Sequence, residues 1–438
     1  MSDDDGWIGA DDIAALDRRA REILGENDRG GYTVPTAGLY PFQWNWDSAF
    51  AALGFATFDL PRAWTELETL LGGRWPNGMV PHIVFHRPDE GYFPGPDVWG
   101  TNRTPPTSGI TQPPVAASAV RELLARDGPA GESRAAALYR PLLDWHRWFM
   151  RWRLEDGVLC ITHPWESGRD NAPDWDAAMA SVDGSAIAPY TRRDTGHVDP
   201  SMRPTEADYD RYVALVEFGR EHAWDETVIR AEGPLRVADP TMTFVLLRAH
   251  RDLAAVGRVL GEDTAEIDSW IRTLEAGVPT LWNETTAAFD ARDVRTGELA
   301  GSLSNASFLA WWGGVDEPRL LATLDRVLAA TPHAVPSHPP WSARFDRTRY
   351  WRGPVWAVMN RLIATGLAEH GHRAQARAIR RSTRELIREH GFAEYFDPVD
   401  GTPAGGDAFT WTAAVWLEWA SPTASSGERD SEPAREGR

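Results

Sequence analysis

The alternation of short and long links between helical segments constrains the fold of this chain more than any other feature. Apolar residues recur three and four positions apart through about a dozen segments, whereas alternating strand-like runs are few and short. Some neighbouring helices are joined by tight turns, such as Gly128–Gly131. Others are separated by long segments rich in Gly, Pro and Trp, namely 72–112, 160–204, 331–353 and 391–407. This pattern predicts an all-α fold, an (α/α)6 barrel whose long functional loops share one rim.

Several local signals predict where helices and domains begin and end. Asp239–Pro240 combines an N-cap with a proline at the first helical position, and Gly353–Pro354 is predicted to open a second helix. We expect residues 1–420 to form a single barrel domain. The remaining segment, 421–438, is rich in Ser, Gly, Glu and Arg, so it is predicted to be a disordered tail.

Composition excludes several classes of function. A net charge of −19 argues against nucleic acid or an anionic membrane as a partner, and no apolar run is long enough to cross a bilayer. All 45 basic residues are arginine, which excludes Schiff-base lysine chemistry and a Walker-type phosphate lysine. The single cysteine, Cys160, cannot form an internal disulfide, and the N-terminus lacks the features of a signal peptide. A cytoplasmic location is therefore expected.

The segment His163–Asp176 is the strongest functional signal in the chain. It places four carboxylates and two tryptophans in a stretch that contains Gly and Pro, within a chain that holds 22 tryptophans. Indole faces stack on the C–H face of a sugar ring, and carboxylates bind hydroxyls or move protons at a glycosidic oxygen. The segment therefore favours a sugar-binding cleft. An acidic surface loop anchored by two tryptophans is the alternative.

Two carboxylates that flank a glycosidic bond are the usual equipment for its hydrolysis. Asp170 and Glu394 are the candidates, because each sits in an aromatic neighbourhood within a long loop. They lie far apart in the sequence, so only the fold can bring them together. Taken singly, either residue is better explained as a capping or salt-bridging carboxylate.

The run Trp165–Asn171 resembles the catalytic-acid motif of glycoside hydrolase family 63, and in particular that of bacterial mannosylglycerate and glucosylglycerate hydrolases. Further motifs resemble that family in the same order, which extends the likeness over about residues 30–420. They are Tyr40–Asp47, His82, Gln112, Arg203 with Tyr209, Tyr350–Trp356 and Glu394–Pro398. The family's (α/α)6 barrel agrees with the fold predicted from the helices.

The resemblance implies that Asp170 is the general acid and Glu394 the general base of an inverting glycosidase. Such a pair requires roughly 6.5–9.5 Å between its carboxyl groups. The substrate would be a small α-glycoside, either glucosylglycerate or mannosylglycerate, cleaved to sugar plus glycerate. The residues implied to line the sugar subsite are Trp44, Trp46, Asp47, His82, Trp165, Gly168, Trp351 and Trp356. Those implied around the leaving group are Tyr40, Gln112, Arg203, Tyr209 and Tyr350, and Tyr92 is a further substrate-binding candidate.

Several alternatives remain open at this point. Arg192 or Arg193 could replace Arg203 in binding the acid group. Another small α-disaccharide, as in trehalase- or α-glucosidase-like hydrolases, would fit the same chemistry, and a sugar 2-epimerase of the same fold would use histidines instead. A sugar-binding protein without catalysis is a further class. His82 and His86 have ligand-like spacing but no convincing further ligands, so neither a metal nor a cofactor is expected. Relatives of this type suggest a homo-oligomer.

Overall fold

The computed structural model describes residues 9–424, and helices dominate its regular structure. The prediction of an all-α protein is confirmed at this level. The α-helices are α1 (Ala10–Asn27), α2 (Asn45–Phe55), α3 (Leu60–Gly72), α4 (Pro96–Trp99), α5 (Ala116–Asp127), α6 (Glu132–Trp152), α7 (Asp176–Met179), α8 (Asp194–His197), α9 (Glu206–Glu221), α10 (Glu226–Glu232), α11 (Pro240–Leu260), α12 (Ala265–Gly277), α13 (Pro318–Leu328), α14 (Ala357–Glu369), α15 (Arg373–His390) and α16 (Thr410–Val415). A π-helical turn, Trp416–Ala420, continues α16.

Short 3-10 helices and strands connect these helices. The 3-10 segments are Gly128–Gly131, Pro164–Ser167, Pro173–Trp175, Pro200–Met202, Val278–Leu281 and Asn305–Ala310. The strands are β1 (Gln43–Trp44), β2 (Ile83–Val84), β3 (Leu154–Glu155), β4 (Val158–Ile161), β5 (Val237–Ala238), β6 (Trp282–Asn283), β7 (Ala288–Phe289), β8 (Arg292–Asp293), β9 (Tyr395–Phe396) and β10 (Pro403–Ala404). All pairings are antiparallel: β3-β4-β5-β8 form one sheet, and β1-β2, β6-β7 and β9-β10 form ribbons.

Six segments contact one another in succession through the core. Helix α2 packs against α5, α5 against α11, and α11 against the 3-10 segment Asn305–Ala310. That segment packs against α14, α14 against α16, and α16 against α2. Every residue of α2, of Asn305–Ala310 and of α16 is buried. Such all-round burial explains why these segments carry little amphipathic pattern.

A second set of helices packs outside this core. Helices α1, α3, α12 and α15 pack against α16, α2, α11 and α14 respectively, and α6 packs against both α5 and α11. These helices bury one face only. In α15, for example, Ile379, Thr383 and Leu386 are buried while the arginine-rich remainder faces outward. An apolar stripe of this kind is what holds an outer helix against a preformed core.

Two elements differ from the sequence predictions. Gly353–Pro354 does not open a helix, because Val355 is extended and exchanges hydrogen bonds of 2.8 and 3.0 Å with the main chain of Phe396. Helix α14 therefore begins at Ala357. The segment Asn305–Ala310 was not predicted to be helical, yet it occupies a core position as a short 3-10 helix.

The end of the described chain is tied to α1. The hydroxyls of Ser421 and Thr423 donate hydrogen bonds of 3.0 and 2.8 Å to the carboxylate of Asp17, and Ser421 is buried. The rest of the predicted disordered tail, 425–438, lies outside the described residues. Among residues 9–424, none of the helices combines the length and hydropathy needed to span a membrane.

Candidate active site

The four long loops meet at one cavity. His82 comes from the first loop, Asp170 and Arg203 from the second, Tyr350 from the third and Glu394 from the fourth. Fourteen of the sixteen predicted site residues line this cavity. They are Tyr40, Trp44, Trp46, Asp47, His82, Tyr92, Gln112, Trp165, Gly168, Asp170, Arg203, Tyr209, Tyr350 and Glu394. The fold thus brings together residues that are widely separated in the sequence.

One wall of the cavity is built where α2 begins. The main-chain N–H of Asn45 donates to the carbonyl of His82 at 3.0 Å, and the N–H of His82 donates to the carbonyl of Ile110 at 2.7 Å. The N–H of Trp46 donates to Oε1 of Gln112 at 3.3 Å. These hydrogen bonds therefore fix the start of α2, the segment with His82 and the segment with Ile110 and Gln112 relative to one another.

Asp170 reaches the cavity through a turn that depends on Gly168. Gly168 has a φ of +70° and ends the 3-10 helix Pro164–Ser167. A Cβ atom added at this position would lie 2.6 Å from the ring of Trp46, so only glycine fits against that indole. The close approach places Asp170 beside Trp46 in the cavity lining.

The environment of Asp170 favours the protonated acid. Burial raises the pKa of Asp170 to about 7, and the negative charge of Glu394 adds to the rise while Arg203 opposes it. Removal of a carboxyl group from water disfavours its charged form, which is the usual way to keep an acid protonated near neutral pH.

Glu394 is held by donors on both of its carboxylate oxygens. The N–H of Gly406 donates to Oε2 at 2.8 Å, and the hydroxyl of Tyr40 donates to Oε1 at 3.1 Å. Gly405, with a φ of +75°, must be glycine because a Cβ atom there would lie 2.3 Å from Oε2 of Glu394. Burial raises the pKa of Glu394, and Arg203 with the Gly406 N–H limits that rise. Hydrogen bonds to a carboxylate favour the ionised form.

Arg203 differs from the two alternative arginines in having a guanidinium nitrogen that makes no hydrogen bond within residues 9–424. Its Nε bonds Asp194 at 3.1 Å and one Nη bonds the hydroxyl of Tyr40 at 2.5 Å. The other, Nη1, is buried, makes no hydrogen bond within residues 9–424, and lies 3.6 Å from Oε2 of Glu394. A buried, unbonded guanidinium N–H at a cavity wall is suited to bind an anionic ligand.

Arg192 and Arg193 are committed to other partners. Arg192 binds the carboxylate of Asp194 with two bonds of 3.0 and 2.6 Å and donates to the carbonyl of Pro204 at 2.8 Å. Arg193 lines the cavity, but its guanidinium is paired with Asp89.

His82 and Asp47 add polar groups to a mostly aromatic lining. The ring of His82 stacks on Trp165 with centroids 6.1 Å apart, and its Nδ1 makes no hydrogen bond in the described part of the chain. Burial lowers the pKa of His82 well below its usual value, so the ring is neutral. Burial also raises the pKa of Asp47 well above its usual value, with Glu394 and Asp170 adding to the rise. Both groups can therefore exchange hydrogen bonds with a neutral hydroxylated ligand.

Trp351 and Trp356 are the two predicted site residues that do not line the cavity. Their rings stack in parallel with centroids 3.8 Å apart, and both are buried. Trp351 lies 6.2 Å from the ring of Trp46, and Trp356 lies 5.2 Å from that of Tyr350. They support lining residues from behind, because the stacked pair fills the space between the loop and the core.

The prediction also missed cavity residues. Asp194 joins Arg192 and Arg203, which together hold the pKa of Asp194 below its usual value although burial opposes this. The Nε1 atom of Trp411 donates to the carbonyl of Glu394 at 3.1 Å. A carboxylate next to Arg192–Arg193 and a tryptophan shortly after Gly405–Gly406 were the available signals. Other missed lining residues are Pro35, Leu39, Ile83, Phe93, Pro94, Trp99, Pro204 and Phe409.

Across residues 9–424, no group of three or more His, Cys, Asp or Glu side chains is arranged to hold a metal ion. His86 instead hydrogen bonds to Oε1 of Gln43 at 2.7 Å, and His82 faces the cavity.

Known proteins that are similar to this chain in sequence and structure include glycoside hydrolases. Residues 40–412 match the family model described as mannosylglycerate hydrolase MGH1-like glycoside hydrolase domain. The chain is 43% identical to mannosylglycerate hydrolase MGH1 of Selaginella moellendorffii over 91% of its length and 84% of the relative's. It is 35% identical to a glucosylglycerate hydrolase of Mycolicibacterium hassiacum over 92% and 97% of the two chains. The structure of a family 63 mannosylglycerate hydrolase from Thermus thermophilus with Tris and D-glycerate superimposes with a TM-score of 0.89 at 42% identity, covering 91% and 98%.

Proposed function

Because this chain belongs to the MGH1-like mannosylglycerate hydrolase family of glycoside hydrolases and is a glycosidase, we propose that it hydrolyses mannosylglycerate and glucosylglycerate to the free sugar and glycerate. The relatives named for these two activities differ in the sugar and share the glycerate. The common element of the proposed substrates is therefore a carboxylate on the leaving group.

The observation that carries this proposal is at Arg203, a cavity-lining residue whose buried Nη1 makes no hydrogen bond within residues 9–424. A glycerate carboxylate would accept a hydrogen bond from this atom and from the hydroxyl of Tyr350, which lies 3.3 Å from that of Tyr40. A neutral sugar in the same place would offer this N–H no charged acceptor, and the guanidinium would keep only the carboxylates of Asp194 and Glu394 as counter-ions. The leaving-group subsite is thus built for an acid.

The proposed reaction uses Asp170 as general acid and Glu394 as general base. Asp170 donates its proton to the glycosidic oxygen as the bond from that oxygen to the anomeric carbon breaks. A water molecule loses a proton to Glu394 while its oxygen bonds the anomeric carbon from the opposite face, which inverts the configuration. The raised pKa of Asp170, about 7, supports the first role, and the donors on Glu394 support the second.

The sugar ring is proposed to lie among the indoles of the cavity. Trp44, Trp46 and Trp165 offer apolar faces to the C–H groups, while Asp47 and His82 offer polar atoms to the hydroxyls. Together these residues supply apolar surface and hydrogen-bonding groups, which are the two kinds of contact that a pyranose makes.

We also propose that the helices form an (α/α)6 barrel. The six core segments that contact one another in succession would be its inner ring, with α1, α3, α6, α12, α13 and α15 outside. This arrangement makes residues up to about 420 one catalytic domain. By analogy with relatives of this type, the protein is proposed to be a homo-oligomer that acts in the cytoplasm on a small molecule.

The proposal is tested by incubating the protein with mannosylglycerate, glucosylglycerate, trehalose and kojibiose side by side. Proton NMR resolves the anomer released, and we expect the β-anomer of the sugar to appear first because the substrate is an α-glycoside. Both glycerates should be cleaved at least about 100-fold faster than either disaccharide, since only they offer a carboxylate to Arg203. Preference for a disaccharide contradicts the substrate, and initial release of the α-anomer contradicts the mechanism.

A further inference from the structure

The loop that carries Asp170 is anchored at three consecutive residues. The guanidinium of Arg169 is buried and bonded to Asp174 at 3.2 Å and Asp239 at 3.1 Å. The side-chain Oδ1 of Asn171 accepts a hydrogen bond of 3.0 Å from the N–H of Trp351. Between them, the side chain of Asp170 points to the cavity, so its own anchor is its main chain.

That main-chain anchor consists of two side-chain donors on one oxygen. Nε1 of Trp175 donates to the carbonyl of Asp170 at 2.8 Å, and the hydroxyl of Tyr212 donates to the same carbonyl at 3.0 Å. Both side chains are buried, at 2% and 3% exposure. A carbonyl oxygen has two lone pairs, so both acceptor positions are filled and the orientation of the peptide is fixed.

Tyr212 is itself tied to the acid loop by a second bond. His163 accepts the N–H of Trp165 at Nδ1 with 3.0 Å, which leaves its Nε2–H to donate to the carbonyl of Tyr212 at 3.0 Å. Helix α9 is therefore joined to the loop through both the main chain and the hydroxyl of one residue. Through these hydrogen bonds, helix α9 restrains the position of the Asp170 peptide.

We propose that Tyr212 and Trp175 are positioning residues of the glycosidase reaction, which hold the Asp170 carboxyl at the leaving-group oxygen through the Asp170 carbonyl. Neither residue lines the cavity, so neither binds the sugar. The inference rests on the proposed role of Asp170 as proton donor. Misplacement of a catalytic group by about 1 Å can lower the rate on the order of 100-fold. Loss of the hydrogen bonds that fix the Asp170 peptide should therefore have a measurable effect on kcat.

The test compares two leaving groups in Tyr212→Phe, Trp175→Phe and the double variant. On the best glycosylglycerate we expect kcat to fall about 10-fold in each single variant and about 100-fold in the double variant, with KM within about twofold. On the α-glycosyl fluoride of the same sugar, kcat/KM should fall less than about threefold, because fluoride departs with little help from a general acid. Tyr139→Phe is the matched control, since its buried hydroxyl makes no hydrogen bond in the part of the chain that is described.

The leaving-group comparison separates positioning from a purely structural role. Equal losses on both substrates, or no loss on the glycoside, overturn the proposal. Melting temperatures identify a variant that has unfolded, and Tyr212→Phe then decides because it removes a single oxygen atom. A wild-type protein that rejects both glycerates refutes the proposed substrate instead, and the comparison is then made between the fluoride and whichever disaccharide is cleaved. Failure on every substrate overturns both proposals.

Discussion

The loop with Asp170 and the loop with Glu394 both present a carboxyl group to the same cavity, but they hold it by different means. Side-chain donors from Trp175 and from Tyr212 of α9 bind the main-chain carbonyl of Asp170. At Glu394 the donors bind the carboxylate directly, through the hydroxyl of Tyr40 and the N–H of Gly406. The carboxyl of Asp170 is thus positioned through its main chain and, among the described residues, receives a hydrogen bond only from its own N–H, whereas that of Glu394 is held by donors from Tyr40 and Gly406.

This difference is what two carboxyl groups with opposite tasks require. Burial without compensating donors disfavours a carboxylate, and burial with donors retains it. The pKa of Asp170 rises to about 7, while Arg203 and Gly406 limit the rise at Glu394. Two carboxyl groups of similar intrinsic acidity can then serve as acid and base at one pH.

The largest effects should come from removal of either carboxyl group. Asp170→Asn and Glu394→Gln are each expected to lower kcat on a glycosylglycerate by about 10²–10⁴-fold with the fold intact. An α-glycosyl fluoride should restore turnover in Asp170→Asn only, since it needs a base but little acid. Stopped-time assays on both substrates and circular dichroism check this. If fluoride rescues Glu394→Gln instead, the two roles are exchanged.

A smaller loss is expected at Arg203, which links the base to the leaving-group site. Arg203→Lys should lower kcat/KM on a glycosylglycerate by about 100-fold, because lysine cannot keep the bonds to Asp194 and Tyr40 and still reach a carboxylate. Arg193→Lys is the matched control, since its partner is Asp89. On a glycosylglycerol, which lacks the carboxylate, the Arg203 variant should lose much less. An equal loss on both substrates would mean that Arg203 serves the base alone.

A third test compares two glycine-to-alanine substitutions, of which only the one at Gly405 places a methyl group against Glu394. Gly405→Ala should lower kcat about 10-fold or more, because the new methyl group displaces Oε2 of Glu394. Gly301→Ala has the same backbone strain, with a φ of +63°, but its Cβ atom would meet open space. Steady-state kinetics of the two variants therefore separate displacement of the carboxylate from strain. Similar losses in both would show that strain is the cause.

The mildest test is the pH profile of the unmodified protein. Asp170 must be protonated to act, so kcat/KM should fall as pH rises through about 7 and then decline about tenfold per unit. Glu394 must be ionised to act as the base, so the fall of kcat/KM at acidic pH is expected to follow the protonation of Glu394. Asp170→Asn assayed on the fluoride should lose the alkaline limb and keep the acidic one. If the variant still loses activity at alkaline pH, the group that titrates there is not Asp170.

Sequence motifs located much of the site, since residues such as Trp165, Asp170 and Glu394 lie in local runs with unusual composition. Asp194 was missed because its role depends on Arg203, which the fold brings to the same carboxylate that Arg192 binds locally. Trp351 and Trp356 were predicted in the subsite because of their motif, yet stacking takes them behind the wall. A motif in the sequence indicates that a residue belongs to a functional region. It does not indicate whether the side chain faces the cavity or packs behind its wall.

The sequence by itself determined the helical character of the chain, the long loops and the two candidate carboxyl groups, because periodicity, turn residues and motifs are local properties. Only the tertiary structure decided that Val355 is extended, since its hydrogen bonds go to Phe396 in a distant loop. It likewise decided that Asp170 is held by its carbonyl and Glu394 by its carboxylate. The acidity of a carboxyl group depends on the atoms that surround it, and packing brings several of those atoms from segments that are far apart in the sequence.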